Sequence, residues 1–73
     1  MPKRYHVEAQ WDPSAEVWTS SSDVPGLVIE TSTLAEFEAL MRELAPEMLA
    51  DHGVDGAVLV EWSAKGAFAF EAA

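Results

Sequence analysis

Two histidines, a run of three serines and a set of carboxylates are the side chains of this chain whose types invite chemistry. The serines are Ser20, Ser21 and Ser22, followed at once by Asp23, and the histidines are His6 and His52. A serine nucleophile needs a base within hydrogen-bond reach and a pair of donors for the oxyanion. His6 could come near the serines through strand pairing, but the letters themselves place nothing there. Polar residues running into a turn account for the same run. His52 beside Asp51 offers two of the ligands a metal needs, yet the C-terminal end of a helix favours a histidine through its dipole alone. Glu36, Glu43, Glu47 and Asp51 read as the solvated side of a helix rather than as an acid–base pair. No H-E-x-x-H, glycine-rich phosphate loop or G-x-S-x-G occurs. The expectation is therefore no catalytic residue, no metal and no cofactor.

Charge narrows the partners. Thirteen Asp and Glu face four Lys and Arg, a net charge of −9 over 73 residues. Such a surface repels phosphate backbones, so direct nucleic-acid binding is not expected. It attracts basic partners and speeds their association at low salt. Acidity also simply keeps a small protein in solution. There is no cysteine, which fits a reducing cytoplasm and removes disulfides as a source of stability. No run nears the roughly 18 apolar residues of a membrane span, and the N-terminus lacks the apolar core of a signal peptide. One small domain over residues 1–73 is expected, cytoplasmic, with a marginal core that a second copy could supplement.

Residues 4 to 11 alternate, with Tyr5, Val7, Ala9 and Trp11 on one face and His6, Glu8 and Gln10 on the other, the pattern of a half-buried strand. Asp12-Pro13-Ser14-Ala15 suits a turn that opens in type I geometry, and "EVWTSS" returns as the second strand of a hairpin. Pro25 and Gly26 suit the central pair of a type II turn. "LVIET" then reads as a third strand, apolar on both faces and so central or covered on both sides. Thr33 with Glu36 forms a capping box. Leu34, Phe37, Leu40, Met41, Leu44 and Met48 recur at helical spacing, and Glu38 and Arg42 make an i,i+4 pair. Pro46 either kinks this helix or ends it near Leu44, and Gly53 marks the stop.

"AVLVEW" predicts a fourth strand with Val58, Val60 and Trp62 on one face, and "AFAFEA" a terminal strand with Phe68 and Phe70 on one side. The result is an α+β fold, an antiparallel sheet of four to five strands with one helix on a face. Consecutive Val17 and Trp18 must point to opposite faces, so one of them looks away from the helix. That implies apolar area on a second face, and with it a partner or a second copy. Trp11, Val17, Trp18, Glu43 and Glu47 are the interface candidates; Pro25, Gly26, Thr33 and Glu36 set the turn and the cap.

Trp11-Asp12, Val17-Trp18, the run Asp23-Val24-Pro25-Gly26-Leu27, Glu30, Thr33-Leu34 and Pro46-Glu47 together carry a resemblance. The stretch from residue 5 to 50 resembles the HicB-like antitoxin group, and within it a set of short, uncharacterised domains related to HicB. The resemblance implies a β-β-β-α-β fold and a non-catalytic role, the masking of a small basic HicA-like toxin or another protein partner. HicB proteins usually add a DNA-binding domain; a single HicB-like domain without a separate DNA-binding domain is expected here. The resemblance transfers no catalytic residue. The alternative is an orphan dimeric domain that holds a small ligand and has no toxin partner.

Overall fold

The computed structural model describes residues 2–67 and 69–72. Four strands and one helix follow in the order β1 (Lys3–Asp12), β2 (Val17–Ser22), β3 (Glu30–Thr31), α1 (Leu34–Asp51) and β4 (Val58–Lys65). They form a single sheet in the order β3-β2-β1-β4 with the helix on one face, so the fold class is α+β as expected. The sheet is mixed rather than antiparallel, because β4 runs parallel to β1. Three strands alternate in direction, so β3 points the same way as β1. A helix that crosses the sheet returns the chain to the end where β3 began, and the next strand must run with β3.

β1 and β2 close on a four-residue loop. The Asp12 carboxylate accepts from the N–H groups of Ser14 and Ala15 at 3.0 and 3.4 Å, and its carbonyl accepts from Glu16 N–H at 2.8 Å. Glu16 takes φ 57°, a left-handed conformation that costs any residue with a Cβ. At the other end of the sheet, Leu27 N–H donates to the Val24 carbonyl at 3.2 Å across Pro25 and Gly26, with Gly26 at φ 75°. This is the type II turn the sequence predicts.

The third strand departs from expectation. Only Glu30 and Thr31 pair with β2, at the sheet edge. Leu27, Ile29 and Thr31 are buried while Val28 is 82% exposed, so the segment alternates instead of being covered on both sides. The ladder stops because a side chain takes over. Ser20 N–H still donates to the Ile29 carbonyl at 3.1 Å, but Ile29 N–H donates to the Ser20 hydroxyl at 2.9 Å.

Thr33 caps the helix, its hydroxyl accepting from Glu36 N–H at 3.1 Å and lying 3.1 Å from the Glu36 carboxylate. The helix then runs unbroken through Pro46 for 18 residues. The helix does not end near Leu44. Gly53 at φ 76° donates to Ala50 at 3.0 Å and Val54 to Leu49 at 2.9 Å, which closes the C-terminus as a Schellman motif.

Phe37, Met41, Ala45 and Leu49 form the buried stripe, against Val7 and Ala9 of β1 and against Val24, Leu27 and Ile29. Each large side chain so buried contributes on the order of 2 kcal/mol of transfer free energy. Residues 66, 67 and 69–72 form no strand, and Phe68 of the expected terminal strand lies outside the described residues.

Candidate functional site

The strand registers assign every side chain to a face, because directly paired residues share one. Tyr5, Val7, Ala9 and Trp11 of β1 face the helix together with Trp18, Ser20 and Ser22 of β2 and Val58, Val60 and Trp62 of β4. The open face carries Arg4, His6, Glu8 and Gln10, then Val17, Thr19 and Ser21, then Leu59, Glu61, Ser63 and Lys65. Val17 is thus the residue that looks away, as the sequence requires of one of the pair. The face it joins is polar, however, and the expected apolar second face is not there. Arg4 spans it to Glu61 at 2.6 Å, an exposed ion pair.

Four places could engage another molecule. Trp11 and Trp18 are directly opposed, with ring centroids 5.3 Å apart, and Gly66 and Ala67 pass beside them. Both rings remain half-buried.

The outer side of α1 carries Glu36, Glu43, Glu47 and Asp51, all exposed. Among the described residues, Glu38 alone on this helix pairs with a cation, Arg42, at 3.0 Å. No basic residue occupies the last turn, where a helix favours cations. Glu43 and Glu47 lie roughly 15–20 Å along the axis from the end nearest the tryptophans, at about 1.5 Å per residue. The two groups of interface candidates therefore belong to separate surfaces.

His6, Glu8, Ser21, Ser22 and Asp23 surround a shallow depression on the open face. Two of its side chains, Ser22 and Asp23, are committed to the backbone, and the Glu8 carboxylate accepts from the Gln10 amide at 2.7 Å. The Ser22 hydroxyl donates to the His6 carbonyl at 2.8 Å and accepts from Val24 N–H at 3.0 Å. An Asp23 oxygen accepts from His6 N–H at 2.7 Å. Ser20 and Ser22 thus close the sheet edge and the turn, a structural use of the serine run. His52 stands elsewhere, its Nδ1 2.8 Å from the Met48 carbonyl, so that nitrogen carries the proton. No group of three or more His, Cys, Asp or Glu among the described residues could hold a metal ion. No helix among them is long and apolar enough to cross a membrane.

The fourth place is one that sequence reasoning did not single out. Met41, Arg42, Ala45 and Pro46 of the helix and Val58, Val60 and Trp62 of β4 line an open groove of about 340 Å³. Val58, Val60 and Trp62 pack against the core yet stay only half-buried, which leaves this groove between helix and strand. Its signal in the sequence was the Val58, Val60, Trp62 alternation, which reads equally well as ordinary core.

Pro25 and Gly26 lie at the helix C-terminal end, where a Cβ on Gly26 would meet Met48 Sδ at 3.5 Å and His52 Cε1 at 3.7 Å. The turn and cap residues therefore position the helix on the sheet.

Comparison with known proteins agrees with this architecture. A solved structure, that of hypothetical protein TTHA1013 from the extremely thermophilic bacterium Thermus thermophilus, is similar at a TM-score of 0.73 and 36% identity. The match covers 94% of this chain and 99% of that one. No curated protein matches. The model of a domain of unknown function, DUF1902, matches residues 4–66, and the chain belongs to that family.

Proposed function

We propose that this domain is a non-catalytic protein-interaction module whose acidic helix face receives a small basic protein, in the manner of a HicB-type antitoxin masking a HicA-like toxin. The observation that carries this reading is the outer side of α1, where Glu43, Glu47 and Asp51 crowd the C-terminal half with no cation in the last turn. Like charges four apart and carboxylates near a helix C-terminus both oppose folding by a few tenths of a kcal/mol. A surface kept at that cost suits a basic partner. The resemblance of residues 5 to 50 to the HicB-like group supports the same reading. So does the use of Ser20, Ser22 and Asp23 as backbone partners rather than as a reactive set.

Co-expression with a HicA-like toxin tests it. Growth should be restored, and the purified pair should associate faster at low ionic strength, as oppositely charged surfaces do. Glu43→Lys with Glu47→Lys should remove most of that salt dependence and slow association. Failure of the wild-type domain to bind or to restore growth overturns the reading.

A further inference from the structure

The two edges of the sheet are treated differently. At one edge β3 is two residues long, lies just after the Pro25-Gly26 turn and is partly served by the Ser20 side chain. A strand that short offers little to another chain. At the other edge β4 is eight residues long and contains no proline. The helix covers its face rather than its rim, and the groove lined by Met41, Ala45, Pro46, Val58, Val60 and Trp62 opens along the same side. Leu59 is 41% exposed on the open face. A long flat edge with unpaired N–H and C=O groups is what natural sheets ordinarily cover.

The occupant is written in the strand. Read about Ser63, residues 59 to 67 are self-complementary in antiparallel order: Trp62 falls opposite Ala64, Glu61 opposite Lys65, Val60 opposite Gly66 and Leu59 opposite Ala67. On the helix face this sets each large side chain against a small one. On the open face it sets the carboxylate of one copy against the ammonium of the other, a favourable cross-strand pair. Lys65 makes no ion pair among the described residues.

The strand also has length to spare. The described residues past Lys65 are exposed, and the molecule extends 54 Å along its long axis. Its radius of gyration is 14.4 Å, against about 11 Å for a compact chain of this length.

We propose that two copies of this chain pair through β4, antiparallel about a twofold axis at Ser63, to form one continuous eight-stranded sheet. The contact is isologous and closes on itself, so it ends at a dimer. It uses a different surface from the acidic helix face, and either proposal can fail alone.

The chain has no cysteine, so single thiols report the register cleanly. In the paired state the two Ser63 Cα atoms lie about 4.5–5.5 Å apart, within disulfide reach. Sedimentation of the wild-type chain should show a monomer–dimer equilibrium. Ser63→Cys should oxidise to a covalent dimer. Leu59→Cys alone should not, whereas Leu59→Cys mixed with Ala67→Cys should cross-link. Lys65→Glu should weaken dimerisation about tenfold, since two like-charge pairs then face each other. A monomer at all accessible concentrations overturns the proposal, as does a dimer that Ser63→Cys does not link.

Discussion

Trp11 and Trp18 face each other directly across the β1–β2 ladder, their ring centroids 5.3 Å apart and their planes tilted by 57°. The four-residue loop from Pro13 to Glu16 sets that register, and the pair in turn holds the loop end of the hairpin. Trp18 also pairs with Thr31, the last residue of the edge strand, so its backbone stands between both neighbouring strands.

Trp18→Ala should therefore destabilise the domain by about 2 kcal/mol, part of it lost aromatic coupling of roughly 0.5–1.5 kcal/mol. Urea unfolding of the two single mutants and the Trp11→Ala, Trp18→Ala double mutant isolates that coupling. Additive effects would mean that the rings do no more than bury area separately.

Ser20→Ala separates the structural use of the serine run from a reactive one. It leaves Ile29 N–H without its partner in a part-buried place, which should cost about 1–2 kcal/mol. Amide hydrogen exchange at Ile29 should accelerate along with the drop in unfolding midpoint. An unchanged exchange rate would show that the N–H finds another acceptor.

Two left-handed positions should respond in opposite directions. Gly26 sits at φ 75° and a Cβ there would meet only ordinary contacts, so Gly26→Val should cost well over 1 kcal/mol through backbone strain rather than collision. Glu16 holds φ 57° with a full side chain in an exposed loop, and Glu16→Gly should stabilise by roughly 0.5–1 kcal/mol. Both are read from equilibrium unfolding with unchanged m-values.

Pro46 lies inside a continuous helix and leaves the Arg42 carbonyl without its usual N–H. Pro46→Ala should raise stability by about 1–2 kcal/mol. The gain falls short of the roughly 3 kcal/mol typical of an interior proline because removing it also loosens the unfolded chain. A loss of stability would instead mark the Pro46 ring as an essential part of the groove wall.

Local chemistry was legible where a residue's own backbone decides its place. Pro25-Gly26 announced the type II turn, Thr33 with Glu36 the helix start and Gly53 its stop, and the alternation from Tyr5 to Trp11 one strand and its two faces. These depend on dihedral preference and on hydrogen bonds within a few residues. Val17 and Trp18 were legible only halfway. Opposite faces were certain, but which face met the helix depended on what lay across the sheet.

The direction of β4, the reduction of the third strand to Glu30–Thr31, the passage of the helix through Pro46 and the polar character of the open face were decided by tertiary structure. Each depends on contacts between segments far apart in the chain. A helix laid across the sheet must deliver the next strand parallel. Burial of Phe37, Met41, Ala45 and Leu49 on one stripe outweighs the bond that Pro46 removes. A serine hydroxyl can end a ladder only where folding brings Ile29 beside it. Composition and periodicity state what each segment prefers, and the packing of distant segments selects among those preferences because burial energy is summed over the whole core.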